Sequence, residues 1–211
     1  MKVLIYSDVH GNLPAFEKMI ALEKHIDGYL CLGDLVNYGP WSNECVDLAG
    51  SLPNSILLMG NHEEAFINGV YPGTNPLVQH FFRMTYPSFK RRATIQSFLL
   101  ETKLDKFICK HTIHNSYIYP DTQIQLDNNY IIGHSHHQFK YKNNNFILYN
   151  SGSVGQNRKY INELNYLIYD SESKSMEMKS AIYNLDLIIN EMKNLSYPED
   201  CINYYSSKKR K

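Results

Sequence analysis

The sequence predicts an α/β domain in which two β-sheets pack together with helices outside. Three observations carry that reading. Strand and helix patterns alternate through residues 1–60, a helical stretch broken by prolines follows, and short apolar strand patterns resume from Phe107. A chain of 211 residues fits one unit, because domains run roughly 100–200 residues, so residues 1–211 are read as a single domain. About 70% of the unfolded surface can be buried at this size, so neither a disulfide nor a structural metal is needed for folding.

Val3–Tyr6 is a short run of β-branched, aromatic and apolar residues that stops at the polar loop Ser7–Asn12, the pattern of a buried strand. Leu13, Phe16 and Ile20 then recur at helical spacing, with Asn12 as a cap and Pro14 in the first turn, where its missing N–H costs nothing. Tyr29–Leu32 repeats the strand and ends at Gly33-Asp34. Ser42–Leu48 repeats the helix, with Ser42 as its cap, and Ile56–Met59 is a third strand ending at Gly60-Asn61-His62-Glu63. This alternation implies parallel strands joined by right-handed crossovers. From about 64 to 106, Val78, Phe81 and Phe82 and then Ile95, Phe98 and Leu99 predict two or three helices, interrupted at Pro72, Pro76 and Pro87 and placed near the mouth of the site. Phe107–Cys109, Tyr117–Tyr119, Tyr130–Ile132, Phe146–Tyr149, Tyr166–Tyr169 and Met176–Tyr183 read as strands, giving a second, partly antiparallel sheet. Leu185–Leu195 and Glu199–Tyr205 are helical, and Lys208–Lys211 reads as a frayed basic end.

Composition narrows the function. Lys and Arg together number 21, as do Asp and Glu, so no dominant cationic field advertises nucleic acid or an anionic membrane surface. Cys31, Cys45, Cys109 and Cys201 show no Cys-x-x-Cys spacing and read as free thiols. No stretch approaches the roughly 20 apolar residues of a membrane span. The N-terminal apolar run is too short for a signal-peptide core, so a cytoplasmic location is expected. Against this neutral background stand nine histidines, several beside Asp, Asn or Gly.

Asp8 and His10 follow the first strand, Asp34 the second and Asn61 with His62 the third; His111 follows Phe107–Lys110, and His134 and His136 follow Tyr130–Ile132. Parallel strands bring such carboxyl ends to one edge of a sheet, where open α/β folds place their ligands. Seven donors, Asp8, His10, Asp34, Asn61, His111, His134 and His136, are thereby presented together. Carboxylate mixed with imidazole suits Mn2+, Fe, Zn2+ or Ni2+ better than Mg2+ or Ca2+.

Taken in order, Asp8-x-His10, Gly33-Asp34, Gly60-Asn61-His62-Glu63, His111 and Gly133-His134-x-His136 resemble the calcineurin-like metallophosphoesterase family. Gly33–Pro40 and Asn150–Gln156 resemble its small bacterial and archaeal branch. The resemblance implies an α/β/β/α sandwich of that type and a cofactor of two divalent metal ions, Mn2+ first, with Fe, Zn2+ or Ni2+ as alternatives. Asp8, His10, Asp34 and His136 would hold one ion and Asp34, Asn61, His111 and His134 the other, a hydroxide between them acting as nucleophile. His62 would stabilise charge or act as general acid, tuned by His10, so that Asn61, His62 and His10 form the implied catalytic set.

Three positions depart from the family pattern. Thr112 stands where Gly usually follows the histidine, Ser151 where Pro usually precedes Gly-Ser-Val-Gly, and Tyr38 where the protein Ser/Thr phosphatases carry an arginine clamp. A diester bears less charge than a monoester dianion, so a missing clamp favours phosphodiesters. Asn37 and Tyr38 are candidate substrate contacts, and Arg91 and Arg92 are candidates to replace the clamp. The expected function is hydrolysis of a small phosphoester, a diester first. The alternatives are a phosphomonoesterase and, from another class, a scaffold that keeps the fold without catalysis; the filled ligand positions oppose the scaffold.

Overall fold

The computed structural model describes residues 1–143 and 145–211. The centre of the first sheet is β1 (Lys2–Tyr6), with β2 (Gly28–Cys31) and β3 (Ser55–Leu57) following in parallel, as the spacing predicts. Its other half is antiparallel: β9 (Glu163–Asp170) pairs with β1, and β10 (Ser175–Ile182) with β9. The last two strands therefore return to the first sheet. The second sheet is mixed, in the order β4 (Glu101–Leu104), β5 (Phe107–Lys110), β6 (Asn129–Ile132), β8 (Phe146–Ser151), β7 (Gln138–Asn143). The strands that end at the site, β5 and β6, run parallel in it.

Apolar side chains from both sheets meet between them: Ile5, Leu30, Leu32 and Leu167 from the first, Cys109, Ile131 and Tyr149 from the second. The outer face of the first sheet is covered by helices. In α1 (Leu13–Leu22), Ala15, Phe16 and Met19 turn inward, and the Asn12 side chain accepts the Ala15 N–H at 3.3 Å, so the cap reads as expected. In α2 (Ser42–Ser51), Ser42 lies inside the helix instead of capping it, because its hydroxyl is spent accepting the Asn37 N–H at 3.1 Å. The helices α3 (Asn61–Asn68), α4 (Pro76–Thr85) and α5 (Arg92–Gln96) come from the middle segment, and α6 (Asp186–Asn194) and α7 (Glu199–Ser206) close the same layer. On the far face of the second sheet, Ile113, Ile118 and Leu126 of the β5–β6 connection pack over Ile132 and Leu148.

Four segments differ from the sequence reading. Tyr117–Tyr119 is not a strand: Ile118 packs into the far-face cluster and Tyr117 stacks on His134, so ring packing satisfies the pattern that pairing was expected to satisfy. Glu101–Leu104 pairs with β5 as a strand, and Gln138–Asn143 forms an edge strand whose polar side chains disguise it. Lys208–Lys211 is not frayed. Ile161 N–H donates to the Lys209 carbonyl at 2.9 Å, Lys211 N–H donates to Asn162 Oδ1 at 2.8 Å, and Lys211 Nζ meets Glu163 at 3.2 Å. All four cysteines are free and buried, and no described helix is long and apolar enough to cross a membrane.

Candidate metal centre

The donors stand on a strained backbone. Asp8, His10, Asp34, His134 and His136 all have left-handed φ, between 51 and 68°. A side chain there costs about 1–2 kcal/mol, so something must hold each one. Backbone bonds between strand ends do so: Asp8 N–H donates to the Gly33 carbonyl, His10 N–H to Asp34 and Gly155 N–H to Asp8, each at 3.0 Å. Glycine is required where the loops touch, since a Cβ on Gly60 would strike the Asp34 carboxylate and one on Gly133 would strike Ser7 Oγ and the Asp8 carboxylate. Glu63 ties three segments together, one oxygen accepting the Gly60 and Asp34 N–H groups and the other those of Leu35 and Val36.

Two clusters of lone pairs result. The His10 Nδ1–H faces the Val36 carbonyl at 3.2 Å and the His136 Nδ1–H faces that of Gln156 at 2.9 Å, so each ring presents a bare Nε2. Those Nε2 atoms lie 3.2 Å apart, and that of His136 is 3.1 Å from Asp8 Oδ1, a buried atom without a hydrogen-bond partner among the described residues. In the second cluster His111 Nδ1–H faces the Leu32 carbonyl at 3.0 Å, and its Nε2 is 3.1 Å from Asn61 Oδ1, 3.0 Å from His134 Nδ1 and 3.3 Å from Asp34 Oδ2. Asp34 Oδ2 also faces the first cluster, 3.8 Å from His10 Nε2. Acceptors packed against acceptors in the first cluster, and acceptors gathered around one ring nitrogen in the second, fit a cation in each. The ligand atoms of Asp8, His10 and His136, and those of Asp34, His111 and His134, lie within 4.8 Å of one another.

The electrostatics agree with that chemistry. Burial would raise the carboxyl of Asp8, yet His136 and His111 outweigh it and hold Asp8 well below the usual range. Asp34 is likewise held down against burial, by His111 and His62. Burial lowers His10 and His136, and burial with His111 pushes His134 down to about 4, so these imidazoles stay neutral and able to ligate. His111 is raised instead, to about 9, the Asp34 charge overcoming burial, so without an ion its Nε2 carries a proton where a cation would sit. Burial and the neighbouring Asp34 push Glu63 up to about 7, opposed by the N–H groups it accepts.

Beside the clusters lies a cavity of about 190 Å³, walled by Asp34, Tyr38, His62, Tyr71, Tyr117 and Arg158, among others. His62 is buried there and its Nδ1 lies 2.9 Å from Asn37 Nδ2. Asn37 Oδ1 accepts from Tyr38 N–H and the Thr85 hydroxyl, which fixes the amide so that Nδ2 donates to His62. Tyr71 stacks on His62 and Tyr117 on His134, with ring centroids 5.5 and 4.0 Å apart. Arg91 and Arg92 are elsewhere, contrary to expectation. Arg91 is paired on the surface with Asp47 at 2.6 Å, and Arg92 is turned to the Ile67 carbonyl. Sequence reasoning missed Arg158, Tyr71 and Tyr117; the only signal for Arg158 is its place two residues after the Asn150–Gln156 motif. A second opening, a groove of about 620 Å³, meets the first at Asn61 and His134 and also takes in Gly60, Lys110, His111 and His114.

Comparison with known proteins follows the same line. The family model described as calcineurin-like phosphoesterase matches residues 1–189. An uncharacterised protein of Methanocaldococcus jannaschii is 26% identical over 216 aligned positions, covering 87% of this chain and 88% of that one. The crystal structure of a metallophosphoesterase from Sphaerobacter thermophilus superposes with a TM-score of 0.82 at 22% identity, covering 98% of each chain. That of an archaeal phosphodiesterase gives a TM-score of 0.51 at 20% identity, covering 86% of this chain and all of that one.

Proposed function

The chain belongs to the calcineurin-like phosphoesterase family, a family of metal-dependent phosphoester hydrolases, and from that premise we propose that it hydrolyses a small phosphodiester with two divalent metal ions, Mn2+ first. The observation that carries the reading is the pair of lone-pair clusters joined at Asp34, with Asp8 Oδ1 buried and unpartnered in one of them. Asp8, His10 and His136 would hold one ion and Asn61, His111 and His134 the other, with Asp34 shared. Ions bound there supply a water acidified toward neutral pH and offset charge on the phosphoryl oxygens.

The chain's own groups do the rest. The amide of Asn37 donates to His62 Nδ1, so the neutral ring carries its proton on Nε2. That N–H is the group to donate to a phosphoryl or departing ester oxygen in the cavity His62 lines. Tyr71 and Tyr117 wall the same cavity, their rings stacked on His62 and His134.

Room on both sides of the clusters supports a diester, whose phosphorus carries two substituents, since cavity and groove meet at Asn61 and His134. The archaeal neighbour described as a phosphodiesterase points the same way, although its likeness shows the fold alone. One observation favours a phosphomonoesterase instead: Arg158 brings to the same cavity the cation that Tyr38 does not supply.

The test is turnover of bis-p-nitrophenyl phosphate and p-nitrophenyl phosphate after chelation and reloading with Mn2+. The expected result is no activity after chelation, recovery with Mn2+ and faster turnover of the diester. Faster turnover of the monoester selects the second reading, and full activity in an Asp34→Asn variant would overturn both.

A further inference from the structure

We propose that Arg158 grips the phosphoryl oxygens of the substrate and that the C-terminal helix α7 positions it, so that chain beyond the family match takes part in the site; the proposal rests on the phosphoesterase reading. The match ends at residue 189, whereas α7 spans Glu199–Ser206.

Among the described residues, Arg158 is the only Lys or Arg lining the cavity that also exposes Asp34, Asn61, His62 and His136. The residue is solvent-accessible, and its guanidinium makes one side-chain hydrogen bond, from an Nη to the Tyr204 hydroxyl at 2.5 Å. A guanidinium is a planar fork of several donors, so most of its N–H groups remain for a ligand.

The support for Arg158 is built from the tail. Tyr204 accepts from Arg158 and donates to Gln156 Oε1 at 3.0 Å, so its hydroxyl is used in both directions. Gln156 donates through Nε2 to the Tyr205 hydroxyl at 3.0 Å, and its carbonyl accepts the His136 Nδ1–H. One residue thus links a candidate ligand to two neighbouring tyrosines of α7. On the other side, Asn157 Oδ1 accepts the N–H groups of Lys159 and Tyr160, fixing the turn that carries Arg158. Lys208 Nζ lies 3.7 Å from the Tyr204 ring centroid and adds positive charge behind the clamp. A monoester dianion gains more from such a fork than a diester monoanion, so Arg158 also bears on substrate preference.

The test is calorimetric titration of inorganic phosphate into Mn2+-loaded wild type and the variants Arg158→Ala, Arg158→Lys and Tyr204→Phe, with Mn2+ affinity and the KM and kcat for both nitrophenyl esters measured in parallel. Arg158→Ala is expected to weaken phosphate binding roughly ten- to a hundredfold and to raise KM more for the monoester than for the diester, with Mn2+ affinity unchanged. Arg158→Lys should recover part of the loss, and Tyr204→Phe should weaken phosphate a few-fold through KM with kcat retained. Phosphate binding within twofold of wild type in Arg158→Ala, or no phosphate binding by the wild type, overturns the role of Arg158. Wild-type phosphate affinity in Tyr204→Phe overturns the part given to α7. If the wild type binds phosphate but cleaves neither ester, the phosphoesterase reading fails while the ranking of phosphate affinities still decides the clamp.

Discussion

Asn37 has no polar group to spare. Its N–H donates to Ser42 Oγ, its Oδ1 accepts from Tyr38 N–H and the Thr85 hydroxyl, and its Nδ2 donates to His62. If that last bond sets the His62 tautomer, removing the amide should cost turnover, beside a stability loss of about 1–3 kcal/mol from the Tyr38 N–H left unpaired. Asn37→Gly is the suitable change, because the residue has a φ of 72° that glycine adopts without strain. The expected outcome is a kcat about tenfold lower, with KM and Mn2+ affinity unchanged, against a loss of roughly 10²–10⁴ for His62→Ala. The double variant should be no slower than His62→Ala alone, since the amide acts through the ring. Additive losses in the steady-state kinetics would show that Asn37 works some other way. Asn37 was legible in the sequence as a neighbour of Asp34, but its partner Thr85 lies 48 positions away and nothing local announces it.

At the scale of elements, legibility followed one physical rule. A donor placed directly after a parallel strand inherits its position from that strand, so Asp8, Asp34, Asn61, His111 and His134 could be read as soon as the strands could. Groups held by partners remote in sequence could not. Arg158 belongs to a loop and depends on Tyr204, 46 positions on. Glu63 is the instructive intermediate, visible as the end of Gly60-Asn61-His62-Glu63 yet silent about its task. In the first turn of α3 it accepts four N–H groups, from Gly60, Asp34, Leu35 and Val36. Glu63→Gln keeps the volume but turns an NH2 toward two of those donors, leaving them buried and unpaired. Urea unfolding should show a loss of about 2–4 kcal/mol, accompanied by weaker Mn2+ binding as the Asp34 loop loosens. A variant as stable as wild type would mean that the carboxylate is not what holds α3 to that loop.

The two sheets are joined twice, by the apolar layer between them and by the donor clusters at their edge. Asp8, His10, Asp34 and Asn61 follow strands of the first sheet, and His111, His134 and His136 follow strands of the second. Each proposed ion would draw ligands from both. The zero net charge of the chain conceals this, because the two proposed dications against the carboxylates of Asp8 and Asp34 would make a local cationic site on a neutral molecule. Without ions the folded state keeps buried acceptors face to face, at a cost that unfolding relieves; with them the same contacts become cross-links present only in the native state. Binding confined to the native state stabilises it by about 2.7 kcal/mol at roughly a hundredfold excess over Kd. For a chain of this size that corresponds to a rise in Tm of roughly 5–10 °C. Calorimetric scans with Mn2+ and with a chelator should therefore differ by that much in a single cooperative transition. In Asp34→Asn, where the shared carboxylate is lost, most of the difference should vanish. If Mn2+ leaves Tm unmoved, or splits the transition so that one sheet melts before the other, the clusters are not joining the two halves of the fold.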